Sequence, residues 1–329
     1  MDESVRTLER LGAIRKAEVG AVGHRVVHGG HLVEPTLIDD EVRASIEQLA
    51  EIAPLHNAPA LAAIDEAREL LPDAPHVAVF DTAFHAGMPV EAATYAIPRA
   101  WREDWGIRRY GFHGLSVQWS AERAAEVLGA EKAQRLVVCH LGGGCSITAV
   151  RDGHSVDTTM GFTPLEGVPM ATRSGSIDPG ALLYVLRAHG LSHEDLDQAL
   201  NNESGLAGLT GGRDIPELET AAPDDENARL ALRLYAYRIA KEVAGMSAAL
   251  GGLDAIVFTA GVGERSLTVR AAVCERLSFL GVELDPGLNE RSVPDADVAA
   301  RESVVRVLVI AAREELIAAR AVRSLLERT

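Results

Sequence analysis

Arginine, histidine and glycine recur together along this chain, in segments whose other residues are mostly small or apolar. Gly23-His24-Arg25-Val26-Val27-His28-Gly29-Gly30 sets a guanidinium and two imidazoles at the end of a β-type run that turns through glycine. In α/β sheets, ligands bind beyond the carboxyl ends of strands, where such loops converge. Arg25 alone would read as half of a surface ion pair; with two histidines and paired glycines beside it, a ligand role weighs equally. Phe80-Asp81-Thr82 ends a second β-type run, with His85 close behind. An aspartate there can accept a proton, hold a metal, orient an arginine, or simply cap a helix. Tyr110-Gly111-Phe112-His113-Gly114 puts His113 just ahead of a helical pattern, where amide N–H groups and the helix dipole favour anions.

Three further segments share this character. His140-Leu141-Gly142-Gly143-Gly144-Cys145-Ser146 offers amide donors without side-chain obstruction, a cradle of the hairpin kind. It lacks the Lys-Ser/Thr and the helix that a Walker A loop requires. Thr172-Arg173-Ser174-Gly175-Ser176 carries another arginine in a small-residue loop, and Asp178-Pro179 then reads as a helix start. Phe258-Thr259-Ala260-Gly261-Val262-Gly263-Glu264 runs from a strand into a Gly-x-Gly turn and a helix, which suits a nucleotide loop or plain helix–strand packing equally. The chemistry these residue types share is handling of a phosphoryl group. A phosphoryl group in transfer spreads negative charge over its oxygens and asks for positioning and fixed positive charge more than covalent work.

The net charge of −16 makes such clusters more informative, because an anion is repelled at long range and needs positive charge concentrated locally. The same balance argues against nucleic acid, whose non-specific binding needs a basic surface. With 47% hydrophobic residues in 329, the chain is long and apolar enough for two domains or one large α/β domain. Cys139, Cys145 and Cys274 have no CxxC spacing, which points to a reducing compartment and away from zinc or a disulfide framework. Met1–Leu11 is charged and has no apolar h-region, and no apolar run approaches the roughly 20 residues that span a bilayer. A cytoplasmic location is expected.

To position these loops, strands are predicted at Ala21–His28, His76–Asp81, Arg135–Leu141, Ser146–Arg151, Ala255–Thr259 and Val304–Ile310. Helices are predicted at Glu41–Ile52, Pro59–Leu71, Ser116–Leu128, Ala181–His189, Glu226–Leu250, Ser266–Phe279 and Glu314–Glu327. In the longest, Leu230, Leu232, Leu234, Ile239, Val243 and Met246 mark one stripe. The alternation implies an α/β fold with its sheet covered by helices, and Arg135–Arg151 reads as a hairpin with a glycine turn. Thr220–Asn227 is the one linker-like stretch, and a boundary is also expected soon after Asp81.

Taken in order, GHRVVHGG (23–30), APLHN (53–57), VFDTAFH (79–85), YGFHG (110–114), MGFTPLEGVPMATRSGSIDPG (160–180) and FTAGVGE (258–264) resemble the acetokinase family. That family shares a superfamily with sugar kinases, actin and heat-shock ATPases. The resemblance runs from about Gly23 to the C-terminal helix. It implies a two-domain, ribonuclease-H-like (actin-like ATPase) α/β fold with mixed sheets covered by helices, the first domain incomplete. The implied division is 1–82 with 315–329, against a nucleotide-binding and dimerisation domain over 83–314. The implied reaction is reversible phosphoryl transfer between ATP and acetate, giving ADP and acetyl phosphate, with Mg²⁺ (Mn²⁺ as an alternative) and a homodimer. Propionate is the alternative acceptor.

Residue by residue, Asp81 matches the catalytic aspartate, and His113 and Arg173 the transition-state stabilisers. Arg25 and His56 match substrate-binding positions, and Val27, Leu55, Phe112 and Pro164 the small pocket for the methyl group. His140, Leu141, Gly142, Gly143 and Gly144 match one nucleotide loop. Gly261, Val262, Gly263, Glu264 and Arg265 match another, and Glu314 a magnesium-associated glutamate. There are three departures from the family. Only 22 residues precede Gly23 and none carries the N-x-G-S-S-S-x-K loop, so an upstream start or an inactive fragment with unpaired strand edges is an expectation. Gly143 stands where the family has asparagine in H-L-G-N-G. Asp214-Ile215-Pro216 stands for its adenosine-side D-x-R, with Arg213 nearby.

Overall fold

A computed structural model describes residues 18–51, 54–212 and 214–328, with the side chains of 51–56 outside the description. The chain divides into two units, Met1–Ala86 with Phe112–Leu115 and Arg313–Thr329, and Gly87–Gly111 with Ser116–Ala312.

In the first unit, β1 (Val22–Val26), β2 (Thr36–Leu37) and β3 (His76–Phe80) form a sheet of order β1-β3-β2, with β1 parallel and β2 antiparallel to β3. The register pairs Arg25 with Val79 and Val26 with Phe80, and alternate side chains fall on opposite faces. Val26, Ala78 and Phe80 are buried in one cluster with Ile46 and with Leu61 and Ile64, from helices Asp40–Gln48 and Pro54–Leu70. The reverse face carries Gly23 and Arg25. A Cβ at Gly23 would come within 3.0 Å of Val322, so glycine is what lets helix Glu314–Leu326 lie against β1. Pro59 lies within helix Pro54–Leu70 and does not start it.

The second unit has a six-stranded sheet of order β6-β5-β4-β7-β9-β8. β4 (Arg135–Leu141), β5 (Cys145–Arg151) and β6 (His154–Thr158) form an antiparallel meander. β7 (Ala255–Thr259) and β9 (Arg306–Val309) run parallel to β4, and β8 (Ala296–Asp297) pairs antiparallel with β9. β4 and β7 are buried on both faces, which explains their apolar runs over 136–139 and 255–258. Helix Glu226–Leu250 packs across the meander, opened by Asp225 accepting from the amides of Asn227 and Ala228. Its buried stripe is Ala228, Ala231, Tyr235, Ile239, Val243 and Met246, while Leu230 is exposed. The leucine-based stripe is therefore wrong in its first half, because close packing selects small alanines there. Thr220–Asn227 is not a linker. Helix Ile215–Ala221 takes its start, and the long helix its end.

Candidate active site

In the first unit, the residues singled out by type converge on Arg25. Its Nε donates to Asp81 Oδ1 at 2.9 Å and its Nη2 to Oδ2 at 2.6 Å. Its Nη1 lies 3.1 Å from Glu314 Oε2. Burial works against the guanidinium's charge, but the pairing with Asp81 and Glu314 outweighs it and raises the pKa. Burial lifts Glu314 above the ordinary carboxylate range, opposed by Arg25 and reinforced by Asp81. Asp81 therefore serves as an arginine partner: Thr82, not Asp81, stands at the start of the helical turn that follows. Arg25 and Glu314 line a groove of about 850 Å³ with Gly23 and Val322.

His113 is brought to this neighbourhood by its following glycine. The Gly114 amide donates to Asp81 O at 2.9 Å, and a Cβ on Gly114 would collide with that carbonyl. His113 itself has φ +60°, a conformation that costs a non-glycine residue energy and tends to persist at functional sites. Phe112 is buried and packs edge-on to His28, ring centroids 5.6 Å apart. His28 is held in turn by Asn57, which exchanges two 3.1 Å hydrogen bonds with its backbone. Val27 is half-buried. Leu55 and His56 sit in the first turn of helix Pro54–Leu70, but their side chains lie outside the described residues, as does Arg213.

In the second unit the glycine hairpin is present as expected: Leu141 pairs with Cys145, and Gly142 N–H donates to Gly144 O at 3.0 Å. Beneath it, the Cys145 thiol donates to Gly142 O at 3.4 Å and lies 3.1 Å from the Tyr235 hydroxyl. Burial pushes that thiol up to about 11, so it is a neutral prop and not a nucleophile. Gly142 and Gly143 line a cavity of about 310 Å³ together with Asp214, Ile215, Pro216, Gly261, Val262 and Arg265. Three separately singled-out segments thus meet on one largely apolar hollow, which Leu206, Glu219 and Tyr235 also line. Those three carry no motif and were legible only as core or surface positions.

Several matched residues lie elsewhere. His140 is buried with Nδ1 2.8 Å from Ser116 Oγ, and Glu264 accepts the Ala312 amide at 2.9 Å. Leu141, Gly144 and Gly263 do not line the cavity. The Gly-x-Gly segment is also not a turn. It lies within helix Ala260–Arg265, entered through Ala260 at φ +64°. Asp214 caps helix Ile215–Ala221 in a reciprocal pair with Glu217.

Arg173 is half-buried, and its Nη1 donates to Pro164 O at 2.9 Å, which joins two of the matched positions directly. Burial holds its pKa below the ordinary arginine value, offset in part by Cys145. The Ala171 amide donates to Gly143 O at 3.4 Å, tying the arginine's loop to the glycine hairpin.

The family description that matches is that of the acetokinase family, over residues 3–320. An acetate kinase of Synechococcus sp. (strain JA-2-3B'a(2-13)) is 51% identical over 315 residues, covering 94% of this chain and 78% of that protein. Among solved structures, a propionate kinase from Francisella tularensis superposes with a TM-score of 0.91 at 39% identity, over 97% of this chain and 82% of that one. Acetate kinase from Porphyromonas gingivalis gives 0.88 at 40% identity, over 94% and 79%. The α/β architecture is thus the actin-like ATPase fold of these kinases. With the match extending over nearly its whole length, the chain belongs to the acetokinase family.

Proposed function

We propose that this chain is an acetate kinase, transferring the γ-phosphoryl group of ATP to a carboxylate oxygen of acetate, and the reverse. The observation that carries the reading is the pairing of Arg25 with Asp81 and Glu314 in one unit, alongside a glycine-lined hollow and Arg173 in the other. In this reading the second unit binds the nucleotide, its adenosine in the apolar hollow and its phosphates on the Gly142–Gly144 amides. Arg25 receives the anionic acceptor, and Val27, Leu55, His56, Phe112 and Pro164 are its other proposed substrate-binding residues. Arg173 and His113 stabilise the charge that develops on the transferred group, and Asp81 keeps Arg25 and the acceptor in register.

Phosphoryl transfer from ATP needs a divalent cation, which neutralises the phosphate oxygens. Mg²⁺ favours one or two carboxylates plus phosphate oxygens, and Glu314 with Asp81 offers a donor set of that kind. Glu314's raised pKa marks a carboxylate whose charge a cation would stabilise. An additional methylene in a small pocket is worth only about 1–3 kcal/mol, so propionate is the expected secondary acceptor. We place action in the cytoplasm; no described helix is long and apolar enough to cross a membrane. A homodimer is part of the reading, and helix Pro179–His189 supports it. None of its residues is buried, and Leu183 and Tyr184 are more than half exposed.

Trapping with hydroxylamine tests the assignment. Acetyl hydroxamate is expected from acetate, ATP and Mg²⁺ together and from no pair of them. ATP hydrolysis independent of any carboxylic acid would overturn it.

A further inference from the structure

The loop between β6 and helix Pro179–His189 carries both Pro164 and Arg173, and its shape is imposed by a polar cluster distant in sequence. Arg109 Nη1 donates to the carbonyls of Thr159 at 3.0 Å and Met160 at 3.1 Å, and its Nη2 meets Glu166 Oε1 at 2.9 Å. The Tyr95 hydroxyl donates to Glu166 Oε2 and accepts the Phe162 amide at 3.0 Å. The guanidinium of Arg109 lies over the Tyr95 ring, 5.4 Å from its centroid. A side chain at Gly161 would collide with both the Glu166 carboxylate and the Tyr95 hydroxyl, so glycine is required for this closure.

Glu166 stands next to the residues that hold Arg173. Two positions earlier, Pro164 O accepts from the guanidinium at 2.9 Å. One position later, Gly167 at φ +116° closes the loop: Ser176 N–H donates to Gly167 O at 2.8 Å, and Gly167 N–H donates to Ser176 Oγ at 3.1 Å. The Met170 amide meets Arg173 O at 3.0 Å. A guanidinium is a planar fork whose value in transfer depends on direction, and misplacing such a group by about 1 Å can cost roughly 10²-fold in rate.

We propose that Glu166 is a positioning residue: tied to Arg109 and Tyr95, it sets where the Pro164 carbonyl stands and thereby the direction of Arg173. This rests on the reading of Arg173 given above. Glu166→Ala and Glu166→Gln are made in the wild-type and the Arg173→Ala backgrounds, and acetyl hydroxamate formation is followed. Glu166→Ala is expected to lower kcat on the order of 10²-fold with KM for ATP unchanged. Glu166→Gln, which keeps an acceptor oxygen, recovers most of that loss. In the Arg173→Ala background the Glu166 substitution adds nothing further.

An equal loss in both backgrounds would make Glu166 merely structural and overturn the proposal, as would full activity in Glu166→Ala. Should Glu166→Ala fail to fold, Tyr95→Phe keeps the ring beneath Arg109 and removes only the hydroxyl. It is expected to show a smaller loss of kcat that is likewise absent when Arg173 is alanine, and a loss that persists there overturns the proposal. A wild-type protein that makes no acetyl hydroxamate defeats the functional reading; an active wild type with an undiminished Glu166→Ala defeats only this inference.

Discussion

The two units use different materials to handle negative charge. In the first, charge is balanced by side chains: Arg25 is held by Asp81 and Glu314, residues brought together by parallel pairing of β1 with β3 and by the packing of the C-terminal helix on them. In the second, the hollow is lined mainly by glycine backbone and apolar side chains, with Asp214 and Glu219 its acidic lining residues and Arg265 its one cationic one among those described. A chain of net charge −16 can hold an anion in either way, but the two ways fail differently. Removing a member of an ion-paired cluster leaves the remaining charges uncompensated, whereas altering an amide cradle changes shape and leaves the charge as it was.

The largest effect that separates them is loss of an arginine. Arg25→Ala and Arg173→Ala are each expected to lower kcat on the order of 10³–10⁵-fold if they act as arginine fingers do. Only Arg25→Ala should also weaken its own unit, by about 1–2 kcal/mol after screening, because Asp81 and Glu314 are then left facing one another. Hydrogen exchange in β1 and β3, set against β4 and β5, measures this. Equal loosening of both sheets by both variants would erase the distinction.

The strand ends that carry this chemistry were legible in the sequence. Val/Ile-rich runs closed by Gly or Asp mark β1, β3, β4 and β7, with at most two residues of error at any end. The partnership on Arg25 was not, since nothing local connects Asp81 to Glu314; only the register of β1 with β3 and the packing of the last helix do so. The hollow was half legible. Glycine and proline announce Gly142, Pro216 and Gly261, whereas Leu206 and Tyr235 are ordinary apolar helix residues until the helices pack. Short helices such as His193–Asn202 and Gly205–Thr210 were missed because the first is largely polar and the second carries two glycines, so both resemble loops. The Glu166 cluster was invisible for the same reason as the Arg25 cluster: Tyr95, Arg109 and Glu166 meet only through folding.

A second contrast lies in pH. His85 is fully buried with Nε2 2.9 Å from Phe112 O, and burial lowers its pKa to about 4, with His24 brought to about 4 by burial and by His76. In the unfolded chain a histidine takes its proton near 6.5, so between about 6.5 and 4 the unfolded state binds more protons. Stability is therefore full above that window and falls as pH drops through it, by ~3 kcal/mol for His85 alone. Both histidines belong to the first unit, which should loosen first in acid. His85→Gln should flatten the acid limb of a denaturation series, and an unchanged limb would mean that His85 does not set the acid sensitivity.

The smallest effect belongs to the amide cradle. A Cβ on Gly143 would meet no atom within 4 Å, and its φ is not positive, so a side chain is sterically welcome there. Gly143→Asn adds a polar group of the kind the family carries at this position. One added hydrogen bond is worth about 0.5–1.5 kcal/mol, so KM for ATP should fall by up to about tenfold with KM for acetate unmoved. A change in acetate KM instead would place the hairpin against the acceptor.

The bond between a carboxylate oxygen of acetate and the transferred phosphorus is observed directly by ³¹P NMR of the protein with ATP, Mg²⁺ and ¹⁸O-labelled acetate. An acetyl phosphate resonance is expected, growing one-for-one with ADP and shifted by ¹⁸O in the bridging position. ADP and unlabelled inorganic phosphate appearing alone, at the same rate with or without acetate, would contradict it.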